Sequence, residues 1–365
     1  MPSSLQTQTQ KRLNSPAKSE VEHGLQVSVY HRGELIVDAC AGTMAGDDSA
    51  LVESDTLFPV FSCSKAVTAT IIHRLAETGI LDYDTPIVQY WPEFAANEKS
   101  AITLRHVLTH AAGLWALPTT LDLKTAQDWD AACEQMTTLT PAHEPGANIQ
   151  YHAITYGWIV GAVACKRTGL SFPELLKREI CDPLGITDLY IGLPESEQGR
   201  VCTLYENVDA PDFVEVSGKQ AEAIPASVRP LYRMMNRPEI RRASIPATSG
   251  ITNTKTLAKH FAALLPGGVE GVELLPESRI RIATERPNYP NYHGEPPHWM
   301  LGYNTLEDWN LPHRPLTFGH AGYGGSISFA DPNRQLAVAI TKNHYNTCNH
   351  SSQILSLIKQ HFPVK

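Results

Sequence analysis

From Leu25 onward apolar and polar positions alternate, with Leu25, Val27 and Val29 set against Gln26, Ser28 and Tyr30. A period of two predicts a β-strand. The turn-like His31-Arg32-Gly33-Glu34 and a second run, Leu35, Ile36 and Val37, extend it to a β-hairpin. The far end mirrors this. Residues 326–330 and 336–341 are rich in β-formers and bracket the turn signal Asp331-Pro332-Asn333-Arg334-Gln335. Residues 351–361 then return to helical spacing through Ile354, Leu355, Leu357 and Ile358, with Phe362 following. Between the two ends the period is helical. Residues 62–78 place Ala66, Ala69, Thr70, Ile72 and Leu75 at helical spacings, and Gly79 supplies a stop. Further helices are predicted at 104–108, 125–137, 156–168, 173–180 and 256–265. The pattern therefore predicts an α/β (α+β) chain whose two ends build one antiparallel sheet. Residues 21–80 and 245–365 form the sheet domain, 81–244 a mainly helical insert, and a cleft lies between them, a common place for a ligand site. Residues 1–20 are polar and without period, and read as a disordered lead.

Composition narrows the class. Of 365 residues, 42% are hydrophobic and 19% charged, below the usual charged share of about 25%, so a sizeable core is expected and wholesale disorder is excluded. The net charge of −8, with no basic block, argues against nucleic acid or an anionic membrane as partner. The longest clean apolar stretch, 158–165, is far short of the roughly 20 residues of a spanning helix, and the first residues contain no secretory apolar segment. Seven cysteines, from Cys40 to Cys348 and without C-x-x-C, suggest free thiols in a reducing, cytoplasmic setting. No pattern speaks to oligomeric state. The expected partner is a small molecule.

Three segments carry candidate chemistry. Ser62 and Lys65, in Phe61-Ser62-Cys63-Ser64-Lys65, are three apart at the start of a predicted helix, which puts both on one face. A serine hydroxyl needs a base to become a nucleophile, and a partly desolvated lysine is able to serve. The bland alternative makes Ser62 only an N-cap. Tyr151-His152-Ala153 precedes a helical run; Tyr151 is a proton relay if it lies near Ser62 and Lys65 lowers its pKa, and otherwise a half-buried tyrosine. Gly319-His320-Ala321-Gly322-Tyr323-Gly324-Gly325-Ser326 leads into a strand. Its small residues let a backbone approach a ligand and free an N–H for an oxyanion, or else form a plain turn.

The order Ser-x-x-Lys, Tyr-x-Ala, His-x-Gly resembles the serine β-lactamase and penicillin-binding-protein superfamily, in particular the class C-like branch with family VIII carboxylesterases and related acyltransferases. Thr103 to Leu114, Asp182-Pro183-Leu184-Gly185-Ile186 and Ala247-Thr248-Ser249-Gly250-Ile251 add to the resemblance, which runs from about residue 23 to 362. It implies a β-lactamase/transpeptidase-like fold and an acyl-enzyme on Ser62, with Lys65 and Tyr151 sharing the base and acid roles. It also implies an oxyanion hole from the backbone N–H groups of Ser62 and Tyr323, no cofactor and no metal. His320, Ala321 and Gly322 would line the substrate cleft. The branch usually carries Tyr-x-Asn and a lysine where this chain has Ala153 and His320. A methyl cannot hydrogen-bond, and a fixed cation becomes a group expected to titrate near neutrality. Both departures favour neutral acyl esters or thioesters over β-lactams or D-peptides.

Competing readings are weaker. Gly324-Gly325-Ser326-Ile327-Ser328 lacks the last glycine of a nucleophile elbow. His106 and His110 are four apart but without the glutamate of His-Glu-x-x-His. A non-catalytic binding relative is the remaining alternative, beside β-lactamase or D-amino-acid peptidase activity. Trp115, Trp299, Tyr303 and Tyr323 are candidates for an apolar acyl pocket, and residues 221–242, with Met234 and Met235, for a cover over the cleft.

Overall fold

The computed structural model describes residues 4–18, 23–45, 50–208, 217–289, 297–345 and 350–364. Helix α1 (Ser4–Lys18) leads into the hairpin β1 (Gly24–His31) and β2 (Glu34–Gly42). Its two-residue turn works because Arg32 and Gly33 both adopt positive φ, 52° and 77°, as the tightest hairpin turns require. Strand β3 (Phe58–Phe61) then delivers the chain to α2 (Cys63–Glu77). Short helices follow: α3 (Leu104–Leu108), α4 (Leu123–Gln127), α5 (Trp129–Thr137), α6 (Thr155–Thr168), α7 (Phe172–Leu176) and α8 (Asp182–Leu184). Strands β4 (Leu189–Ile191) and β5 (Tyr205–Glu206) precede α9 (Gly218–Ala223), α10 (Leu231–Met235) and α11 (Pro238–Arg242). The chain closes with β6 (Gly250–Thr252), α12 (Thr254–Ala262), α13 (Glu277–Ala283), β7 (Phe318–Ala321), β8 (Ile327–Asp331), β9 (Leu336–Lys342), β10 (His344–Tyr345) and α14 (His350–His361).

The main sheet runs in the order β2-β1-β9-β8-β7, antiparallel throughout, so strands from the two ends of the chain meet at the β1–β9 pair. A three-stranded sheet, β3-β6-β4, lies beside it, and β5 pairs with β10. The period-two pattern of β1 acquires a physical meaning here. Val27 and Val29 join a core with Leu5, Leu13, Ile354 and Ile358 from α1 and α14. The polar positions Gln26 and Ser28 are buried too, because α12 covers them: Gln26 accepts from the Thr254 N–H at 3.1 Å, and the Ser28 and Thr254 hydroxyls are 2.8 Å apart. Helix α2 is buried on almost every side and forms the spine on which the other face of the sheet and the helical layer meet.

One expectation is overturned. The first residues are not a disordered lead: residues 4–18 form a helix. Leu5, Thr9 and Leu13 recur every fourth position and are buried, and each leucine so placed contributes about 1.5–3 kcal/mol. The polar face is used as well. Gln6 exchanges two hydrogen bonds with the Asp38 backbone (3.0 and 2.8 Å), and Gln10 donates to the Cys40 carbonyl at 2.7 Å. These glutamines satisfy backbone groups along β2, an edge strand that would otherwise present them open. So few apolar residues give no periodic signal, and the helix is held by tertiary partners. Residues 1–3 and 19–20 lie outside the described residues.

Candidate active site

Ser62 sits at the turn from β3 into α2. The residue before it, Phe61, is held at φ 46°, a conformation unfavourable for a side chain that size and of the kind found where structure is spent on function. Ser62 occupies the N-cap position, yet its hydroxyl caps nothing. Two other groups converge on that oxygen. Lys65 Nζ is 3.1 Å away and the Tyr151 hydroxyl 2.8 Å. The neighbouring Ser64 locks the turn, donating to the Phe61 carbonyl and accepting from the Gly250 N–H at 2.8 Å.

Lys65 is fully buried. Its Nζ also lies 2.7 Å from the Ala153 carbonyl and 3.0 Å from the Ala247 carbonyl. Burial drives the ammonium well below its ordinary range, and only a small opposing influence comes from Cys63. A neutral amine has two N–H bonds and one lone pair. The two carbonyls take the N–H bonds, which leaves the lone pair facing the Ser62 hydroxyl. Burial has the opposite effect on Tyr151: its phenol is pushed up, so it stays protonated, with the Ser62 contact only partly offsetting this. A neutral amine so placed is able to accept a proton, and a protonated phenol to donate one.

Tyr151 is fixed by partners some 40 positions earlier, out of reach of any local motif. The His152 N–H donates to His110 Nδ1 at 3.1 Å, and Gln150 N–H donates to the His110 carbonyl at 2.9 Å. His152 Nδ1 donates to the Gln150 carbonyl at 2.7 Å, so its Nε2 accepts from Leu114 N–H at 3.0 Å. Trp299 stacks flat on the Tyr151 ring, with centroids 4.8 Å apart and planes 9° apart. His110 thus serves the tyrosine loop, and His106 caps α3 through Thr103. Among the described residues no three His, Cys, Asp or Glu side chains come together as metal ligands.

A cavity of about 260 Å³ opens on Ser62, Tyr151 and Ala153. His320, Ala321, Gly322 and Tyr323 form one wall, and Ile224 and Leu231 another. Phe61, Ile154, Gln220, Thr248, Trp299 and Asn304 also line it, and of these Ile154, Gln220 and Asn304 lie in no segment that the sequence singled out. Among the described residues neither the Ser62 nor the Tyr323 backbone N–H donates to a turn or loop carbonyl. Two larger cavities, of about 740 and 660 Å³, lie elsewhere, against Trp129 and Cys133 and against Leu275 and Phe318.

Several expectations change. His320 does not titrate near neutrality: burial lowers it to about 3, helped by Lys65, while its Nδ1 donates to the Ala321 carbonyl at 2.6 Å. Trp115 does not line the cavity; its Nε1 donates to Glu222 at 2.9 Å and its ring stacks near His143. Tyr303 is buried in the core and bonds Thr70. Within 221–242, Ile224 and Leu231 reach the cavity, whereas Met234 and Met235 are buried in the core. The six described cysteines are free; Cys63 donates to the His320 carbonyl at 3.2 Å, its thiol raised to about 12 by burial. Cys348 lies outside the described residues.

Comparison with known proteins bears on the same geometry. Residues 12–351 match the Beta-lactamase family. The chain belongs to that family. It is 30% identical over 336 residues to the Esterase/beta-lactamase LipL of Mycobacterium tuberculosis, covering 88% of this chain and 77% of the relative. It superposes on the crystal structure of a family VIII carboxylesterase with a TM-score of 0.87 at 28% identity, over 99% of this chain and 98% of the other. A penicillin-binding protein homolog from Caulobacter crescentus matches with a TM-score of 0.85 at 30% identity, over 98% of each chain. The expected fold class is thereby shown, and this member of the Beta-lactamase family is a serine hydrolase. Among the described residues no helix is long and apolar enough to cross a membrane.

Proposed function

We propose that the protein hydrolyses, or passes to a small alcohol, short uncharged acyl groups carried as carboxylic esters or thioesters, through an acyl-enzyme on Ser62. The observation that carries this reading is the cavity lining. No Lys, Arg, Asp or Glu is among the described residues that line it, and His320 is neutral. The carboxylate of a β-lactam or a D-peptide would be desolvated there without a partner, which is costly. The volume of about 260 Å³ is below the ~300–1,000 Å³ of pockets for drug-sized ligands, which suits a small acyl group.

In this reading neutral Lys65 takes the Ser62 proton as Oγ attacks the acyl carbonyl, and the developing oxyanion is met by the N–H groups of Ser62 and Tyr323. The positive end of α2 favours the same charge. Tyr151 hands its proton to the departing alcohol or thiol and recovers one from the Lys65 ammonium. Water or a second alcohol then gives its proton up along the same route as it attacks the acyl-enzyme.

The test is intact-protein mass spectrometry after incubation with p-nitrophenyl acyl esters, acyl thioesters and a cephalosporin, with a fluorophosphonate as an active-serine probe. The expected result is a short-acyl adduct on Ser62 from ester or thioester, and fluorophosphonate labelling that Ser62→Ala abolishes. A cephalosporin adduct that forms and clears faster than the ester adduct overturns the assignment to uncharged acyl groups. Equal labelling of Ser62→Ala and wild type overturns catalysis at Ser62.

A further inference from the structure

Residues 322–325 read Gly-Tyr-Gly-Gly, so Tyr323 alone in that turn has a side chain with which to hold it. Gly324 adopts φ 82°, and a Cβ there would lie 2.2 Å from the Tyr345 ring, so the turn needs its glycines to pass that ring. Glycines also leave the backbone with more freedom than any other residue. An oxyanion donor requires the reverse: an N–H held about 2.7–3.1 Å from where the charge develops.

The Tyr323 side chain supplies the missing rigidity. Its ring meets Phe61 edge-on at 5.6 Å and Tyr345 at 5.7 Å, and Phe61 immediately precedes Ser62 at φ 46°. Its hydroxyl donates to the Glu206 carboxylate on β5, 117 positions earlier. Strand β5 is itself tied to β10 through Tyr345↔Glu206. Tyr323 thus lines the cavity while its side chain is held by Phe61, Tyr345 and Glu206, a set that starts beside the nucleophile. We propose that Glu206 is a positioning residue for the acyl-transfer reaction: it accepts the Tyr323 hydroxyl and thereby fixes the Tyr323 backbone N–H relative to Ser62. The inference rests on the acyl-enzyme reading above. Glu206 touches no reacting atom. It acts in the transition state because the oxyanion, and not the ground-state carbonyl, is the species that the fixed N–H fits.

The test compares wild type, Glu206→Ala, Glu206→Gln, Tyr323→Phe and Ser62→Ala by steady-state hydrolysis of p-nitrophenyl butyrate, with kcat and KM resolved separately. Losing an oxyanion donor outright costs about 100- to 1,000-fold in kcat. Loosening the turn that carries one is expected to cost less, about tenfold. Glu206→Ala and Tyr323→Phe should therefore each lower kcat about tenfold with KM nearly unchanged, whereas Glu206→Gln, which keeps an acceptor oxygen, should stay within about twofold of wild type. Tyr323→Phe keeps the ring and its packing, so it carries the test if Glu206→Ala does not fold. Wild-type kcat in Tyr323→Phe, a loss confined to KM, or a Gln variant as slow as the Ala variant would overturn the positioning role. Activity persisting in Ser62→Ala would instead overturn the acyl-enzyme reading, whatever Glu206 does.

Discussion

Mild acid is expected to destabilise this fold steeply, and the magnitude follows from its buried histidines. His73, His152, His260 and His320 are each lowered from 6.5 to about 3, burial being the first cause in every case. His73 is held between the Tyr83 hydroxyl and the Leu301 carbonyl, and His260 touches the Thr70 hydroxyl through Nε2 while its buried Nδ1 has no partner among the described residues. A histidine whose folded value lies below its unfolded value binds its proton better once unfolded. Its stabilising contribution is therefore present above 6.5 and is lost as pH falls toward the folded value. At pH 5, well above the folded values, each penalty depends only on the distance from 6.5: 1.5 pH units at about 1.4 kcal/mol per unit, or about 2 kcal/mol. Four such residues lose about 8 kcal/mol together, comparable with the ~5–15 kcal/mol of net stability of a typical domain. Urea unfolding at pH 7 and pH 5, followed by tryptophan fluorescence, measures this. His260→Gln should make the dependence shallower by one proton, about 1.4 kcal/mol per pH unit. An unfolding free energy that changes by less than about 2 kcal/mol between the two pH values would refute the reasoning. The same neutrality means that the pH profile of kcat/KM should have no limb near 6.5 from His320.

Other expectations are more direct. Ser62→Ala, Lys65→Ala and Tyr151→Phe should each lower kcat for p-nitrophenyl esters by about three orders of magnitude or more, with far-UV circular dichroism unchanged; activity near wild type in any one removes that residue's role. On purified enzyme, kcat/KM for p-nitrophenyl butyrate should exceed that for nitrocefin, because no Lys or Arg is among the described residues that line the cavity; the reverse order would contradict the lining argument. Leu231→Ala should shift the preference toward longer acyl chains, since its side chain lines the cavity, and an unchanged chain-length profile would count against it. Met235→Ala, in the core, should instead cost about 2–5 kcal/mol in urea unfolding and leave that profile alone.

Much of the site was legible because its chemistry is local or ordered along the chain. Ser62 and Lys65 share one helix face through their spacing alone, and the small residues from Gly319 to Gly325 announce a backbone that approaches a ligand. What the sequence could not carry was environment. Near-neutral titration was a fair expectation for His320, and its burial beside Lys65 is set by strands and helices far apart in the chain. Trp115 looked like a pocket aromatic, but Glu222 draws it away. Helix α1 had too few apolar residues to show a period, and it exists because β2 leaves backbone groups for Gln6 and Gln10 to satisfy.

The sequence by itself determined which groups are available and in what order: a hydroxyl, an amine, a phenol and a glycine-rich turn, together with a hairpin at each end. Tertiary structure decided their protonation and aim. Two carbonyls, of Ala153 and Ala247, hold the Lys65 amine beside Ser62, and His110 and Trp299 fix the ring of Tyr151. The physical reason is that desolvation and hydrogen-bond direction are properties of the packed surroundings, which no residue specifies alone.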